Sequence, residues 1–135
     1  MYSKSKATKI LLNTSNLILI LCMLISFVGC KRNISEQKAV GAWWSVEDQY
    51  LSHYKNVCCQ RLLFKDDGTY VSVLISIEDN EVLSTEYGTW VIEKGEIVVS
   101  TTHLSTTNFP YTATSTYTYD GKNLKNGIWT YEKKD

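Results

Sequence analysis

A chain of 135 residues has room for one domain, and its 14 basic and 14 acidic residues give a formal net charge of zero. That neutrality belongs to the whole chain only. Lys4, Lys6 and Lys9 lie in an amino-terminal segment without acids, so the 106 residues from position 30 onward carry 11 cations against 14 anions, a net charge of −3. Cations are paired only at Lys31-Arg32 and Lys133-Lys134, near the ends of that portion, which argues against a nucleic-acid partner.

The amino terminus has the layout of an exported precursor. Three lysines precede an apolar run of 12 residues at 17–28, which ends at Gly29-Cys30. A membrane-spanning helix needs about 20 apolar residues, and Asn13-Thr14-Ser15-Asn16 blocks extension upstream, so the pattern predicts a helical signal peptide over 1–29. Phe27-Val28-Gly29-Cys30 resembles a lipobox, the cleavage and acylation site of bacterial lipoproteins, with Phe27 where that family usually has Leu. The resemblance implies lipid, palmitate included, on Cys30 and membrane attachment through it. Residues 30–40 then read as a lipidated polar tether. Lys31-Arg32, in place of an acidic run, favours the periplasmic face of the outer membrane.

From residue 41 the chain reads as all-β. Segments rich in Val, Ile, Thr, Tyr and Trp alternate with turn signals about every 10 to 15 residues. Strands are expected at 41–49, 57–64, 69–77, 83–93, 96–102, 111–119 and 123–132, with an eighth short piece inside 51–56. Lys65-Asp66-Asp67-Gly68, Glu78-Asp79-Asn80, Lys94-Gly95 and Asp120-Gly121-Lys122 supply residues that tolerate positive φ and predict antiparallel hairpins. Such a meander protects its edges by closing into a barrel or folding into a sandwich. Pro110 marks a longer loop over 104–110. Period-two alternation over 69–77 separates Val71, Val73, Ile75 and Ile77, read as the core face, from Tyr70, Ser72, Leu74 and Ser76. Over 111–119 the threonines are expected to face solvent and the tyrosines the interior.

Val40-Gly41-Ala42-Trp43-Trp44, Phe64-Lys65-Asp66-Asp67-Gly68-Thr69-Tyr70, Gly88-Thr89-Trp90-Val91-Ile92 and the hairpin over 117–124 together resemble the small lipocalin-like lipoproteins of the Gram-negative cell envelope. The resemblance spans nearly all of 41–133. It implies an antiparallel up-and-down β-barrel of about eight strands over 41–135, with Trp43 closing one end and Trp44 pointing the other way. It implies no shared activity.

The aromatic residues Trp43, Trp90, Tyr117, Tyr119, Trp129 and Tyr131 are candidates to line a cavity for a small apolar or amphipathic ligand, with solid core as the competing role. The adjacent Cys58 and Cys59 point to opposite strand faces and do not suit a mutual disulfide; either both are inert or one is an exposed, reactive thiol. His53 and His103 could approach these thiols, but the spacing matches no metal-ligand pattern, and neither a metal nor a cofactor is expected. Acid pairs such as Glu47-Asp48, Asp66-Asp67 and Glu78-Asp79 fall at turns or strand ends, and no nucleophile stands with its base, so no enzyme is expected. Two functions remain. One is a ligand-binding barrel. The other is an envelope interaction module that meets a protein or glycan through loops 52–56 or 101–110, with His53, Tyr54 and Phe109 as contacts.

Overall fold

The computed structural model describes residues 31–107 and 111–135. The signal peptide, Cys22, the lipidation site at Cys30, Phe109 and Pro110 lie outside the described residues. The elements are α1 (Glu36–Ala39), β1 (Gly41–Ser45), β2 (Gln49–Leu51), β3 (Asn56–Phe64), β4 (Thr69–Ser76), β5 (Val82–Glu93), β6 (Glu96–Leu104), β7 (Ala113–Tyr119), β8 (Leu124–Asn126) and β9 (Trp129–Lys134). All strand pairings are antiparallel. β1 pairs with both β9 and β3, and this contact closes β1, β3, β4, β5, β6, β7, β8 and β9 into an eight-stranded barrel. β2 extends the line of β1 along β3 after a break at residues 46–48.

Turn chemistry explains the hairpins. Asp67 accepts from the Thr69 backbone N–H at 2.9 Å and from its hydroxyl at 2.6 Å, so the β3–β4 turn supplies its own cap. Those two bonds hold the Asp67 carboxyl below its usual range. Between β5 and β6, Lys94 and Gly95 have φ of 51° and 76°, the two consecutive left-handed residues that a tight hairpin between twisted strands requires.

Three expectations are corrected. The strand expected at 41–49 is two, because the chain bends away after Ser45. The strand expected at 123–132 is also two, since Gly127-Ile128, with Gly127 at φ 55°, turns the chain into a β8–β9 hairpin that pairs Asn126 with Trp129. The short strand expected inside 51–56 is instead the β2–β3 turn, with Tyr54 and Lys55 N–H groups donating to the Leu51 and Ser52 carbonyls.

The polar tether over 30–40 is corrected as well, because from residue 31 onward it is part of the fold. Arg32 bridges the backbone of Tyr119, the Ile34 N–H donates to the Gly95 carbonyl at 3.0 Å, and Ser35 caps α1. Ile34 and Ala39 are buried. Lys31 forms an ion pair with Glu96. The segment therefore packs across one end of the barrel, where apolar side chains at 34 and 39 cover the ends of the interior aromatics.

The faces of β4 are opposite to the sequence expectation. Tyr70, Ser72, Leu74 and Ser76 turn inward and are buried; Val71 and Val73 are half-buried on the outer wall and Ile77 is exposed there. Only Ile75 of that set is buried, beside a bulge between Leu74 and Ile75. Aliphatic alternation misleads here for a physical reason. On the outside, Val71 packs laterally between Leu63 and Tyr87 in register, and Val73 sits between Arg61 and Thr85. On the inside, this part of the barrel is lined by hydroxyls that satisfy one another. In β7 the expectation holds: Tyr117 and Tyr119 are buried, while Thr114 and Thr116 are exposed.

Candidate functional site

The inward-facing register positions divide the barrel interior into two halves. At the α1 end, Trp43, Leu62, Phe64, Tyr70, Trp90, Ile97, Val99, Tyr117, Tyr119, Leu124 and Tyr131 form one packed cluster with Ile34 and Ala39. Phe64 is its hub, with ring centroids 5.2 Å from Tyr70, 5.6 Å from Trp90 and 5.9 Å from Tyr117. Both buried indoles find acceptors: Trp43 Nε1 donates to the Ala39 carbonyl at 2.9 Å and Trp90 Nε1 to the Lys65 carbonyl at 2.9 Å. Trp44 stands on the outer wall with the Arg61 guanidinium 4.1 Å from its ring centroid.

Towards the opposite end the wall becomes polar and its side chains small. Gln60, Ser72, Ser84, Glu86, Thr101 and Ser115 follow the tyrosines on the same inner face. The Tyr70 and Tyr117 hydroxyls lie 2.9 Å apart. Tyr131 donates to Gln60 Oε1 at 2.6 Å, and Gln60 Nε2 donates to Ser72 Oγ at 2.8 Å. Glu86 is placed inward because it stands opposite buried Ser72, and it accepts from the Thr101 hydroxyl at 3.3 Å. Burial pushes the Tyr70 phenol up to about 12 and raises those of Tyr117 and Tyr131 further, with the Glu86 charge adding to all three. Gln60, Glu86 and Ser115 keep partial solvent contact. An eight-stranded barrel has an interior that large side chains just fill. This half is lined by shorter, more polar side chains than the aromatic half.

Gly88 marks the boundary between the halves. It faces Tyr70 across β4 and sits at a bulge against β6, where an added Cβ would fall 2.1 Å from the Ser100 carbonyl oxygen. The bulge thus needs glycine for close backbone approach.

Of the six residues singled out for a ligand cavity, Trp43, Trp90, Tyr117, Tyr119 and Tyr131 belong to the packed cluster, and Trp129 is half-buried against it, its ring stacked 6.4 Å from Tyr131. The structure brings them together as a floor. It adds Tyr70, Gln60, Ser72, Glu86 and Thr101, which sequence reasoning passed over. One signal could have found Glu86: counting back in twos from inward Trp90 passes Gly88 and reaches Glu86.

Cys58 is fully buried on the inner side and Cys59 half-buried on the outer. Burial, and then the adjacent Cys59, pushes the Cys58 thiol up, away from the reactive thiolate. His53 stacks edge-on with Tyr54 at 4.9 Å, whereas His103 lies beside Tyr87 on the outer wall. Among the described residues, no group of three His, Cys, Asp or Glu side chains converges on a point where a metal could sit. Outside the barrel interior, a groove of about 420 Å³ runs between α1 and the β3–β4 turn, lined by Glu36, Gln37, Val40, Asp66, Asp67, Gly68, Trp90 and Val91.

The described residues thus define a closed, eight-stranded antiparallel barrel with one filled aromatic end and one hydroxyl-lined end. No family model, curated protein or solved structure matches the chain.

Proposed function

We propose that this protein is a membrane-anchored, lipocalin-like lipoprotein of the Gram-negative envelope whose barrel binds one small amphipathic ligand through its polar half. The observation that carries the binding reading is the change in the inner wall. Large aromatics form a packed floor, and above them the wall changes to small hydroxyl side chains with half-exposed Gln60 and Glu86, the kind of lining that suits a polar head. Leu74, Ala113 and Trp129 offer apolar wall for the rest of the ligand. Anchoring rests on the lipobox-like residues ending at Cys30. Lys31 and Arg32 already contact the α1 end of the barrel, so lipid on the preceding residue would hold that end against the bilayer and leave the polar end facing away.

Two measurements test the reading. Radiolabelled palmitate is expected to label the protein in growing Gram-negative cells and to leave no label on the Cys30→Ser variant; an unlabelled wild-type protein overturns the anchor. Tryptophan fluorescence of the soluble 31–135 portion is expected to change saturably on titration with at least one of n-octylammonium, octanoate or 1-octanol, all monomeric in the range used. No response to any of the three overturns ligand binding.

A second reading, an envelope interaction module, draws on one observation. The outer wall of β3, β4 and β5 exposes Val57, Ile77 and Val82 near the β2–β3 turn, and Leu63 and Tyr87 flanking half-buried Val71 nearer the other end. His53 and Tyr54 stand at the adjoining β2–β3 turn.

A further inference from the structure

The geometry points to an organic ammonium group as the polar end of the ligand, received by Glu86 inside the barrel, an inference that rests on the ligand-binding reading above. Among the described strand residues, Glu86 is the acid whose register places it on the inner wall; Glu93, Glu96 and Glu132 occupy outward positions beside inward Ile92, Ile97 and Tyr131. The ion pairs found among the described residues, Lys31–Glu96, Lys125–Asp120 and Lys134–Glu132, all leave Glu86 without a cation. Its hydrogen-bond partner is the Thr101 hydroxyl, at 3.3 Å.

A carboxylate offers about four lone-pair sites, so one long bond from a threonine leaves most of its capacity unused. The hydrogen bonds its neighbours are seen to make run elsewhere. Gln60 already accepts from Tyr131 and donates to Ser72, and the Tyr70 and Tyr117 hydroxyls are spent partly on each other. What the site lacks is a donor-rich positive group. An alkylammonium brings three N–H donors and a unit charge, which an acceptor-only carboxylate takes up. A carboxylate or phosphate head would meet Glu86 as a like charge in a partly desolvated space.

The loops at this end of the barrel act in the same direction. Residues 46–48 carry Glu47 and Asp48, and the β4–β5 turn carries Glu78, Asp79 and Glu81, against the single cation Lys55 in the β2–β3 turn. A mouth of that sign draws cations in and repels anions.

The test compares the three octyl probes on the wild-type 31–135 portion and on Glu86→Gln, with circular dichroism confirming that the variant folds. The wild type is expected to bind n-octylammonium at least about tenfold more tightly than 1-octanol, and octanoate least. Glu86→Gln removes the charge and keeps the shape, so ammonium affinity is expected to fall about ten- to a hundredfold while octanol affinity stays within about twofold. Octanoate or octanol binding as tightly as the ammonium probe, or an ammonium affinity unchanged in Glu86→Gln, overturns the assignment of Glu86 and leaves the binding reading standing. Binding by none of the three overturns both. If Glu86→Gln fails to fold, Thr101→Val and the salt dependence of wild-type ammonium binding take its place. Affinity that does not weaken between low and high salt then counts against an ionic contact.

Discussion

Replacing Trp43 by alanine is expected to destabilise the barrel by about 3–5 kcal/mol, enough to bring a domain of this size to the edge of unfolding. Trp43 is almost wholly buried, at 2% exposure, and it joins three parts of the fold at once. Its ring belongs to the aromatic cluster, its Nε1–H is bonded to the Ala39 carbonyl at the end of α1, and its backbone lies in the strand that closes the barrel between β3 and β9. Alanine leaves a cavity beneath α1 and an unpaired carbonyl, so the loss combines a transfer term with a hydrogen bond. Trp44 serves as the control. It is 39% exposed on the outer wall against Arg61, and its alanine variant is expected to cost less than about 1.5 kcal/mol. Urea unfolding followed by far-ultraviolet circular dichroism measures both. Equal costs at the two positions would show that Trp43 does not clamp the closed end.

The contrast between these neighbours shows what was legible in the chain. Period two already sets Trp43 and Trp44 on opposite faces, and the lipocalin-like pattern chooses the inner one. Turn residues such as Asp67 and Lys94-Gly95 speak through local geometry, so the hairpins they mark were readable. The β4 faces were not. Val71 and Val73 look like core by hydrophobicity, yet Tyr70 and Ser72 go inside because Tyr70 meets Phe64 across the hairpin and Tyr117 far along the chain, and Ser72 meets Gln60 on the neighbouring strand. The segment at 31–39 was misread for a related reason. Its polar composition suggests a tether, whereas its few apolar residues, Ile34 and Ala39, gain burial only once the barrel end exists to receive them. Glu86 escaped notice because one acid amid Thr85 and Tyr87 looks like a solvated strand position until the register with Ser72 is known.

The same inner wall dictates how the protein should respond to alkali. Tyr70, Tyr117 and Tyr131 hold hydroxyls in the barrel interior, where burial and the Glu86 charge disfavour the phenolate; Tyr70 is pushed up to about 12 and the other two higher. In the unfolded chain the same groups ionise near the ordinary value of 10. Below that pH both states keep their protons and nothing is lost. Between about 10 and 12 the unfolded state releases protons that the folded state retains, so stability falls as pH rises. Each phenol held neutral contributes a slope of about 1.4 kcal/mol per pH unit, and three together approach about 4 kcal/mol per unit. The buried Cys58 thiol, raised by burial, acts with the same sign from a lower starting pH. Cooperative unfolding is therefore expected to set in between about pH 10 and 11. Phenolate absorbance near 295 nm from Tyr70, Tyr117 and Tyr131 should appear together with loss of the β-sheet signal. Tyr117→Phe removes one of the three protons and is expected to flatten the slope of stability against pH by about a third, even if its stability at neutral pH also changes. A barrel that keeps its sheet signal while the phenols of Tyr70, Tyr117 and Tyr131 titrate near pH 10 would show that these three hydroxyls reach water and are not held in the packed interior.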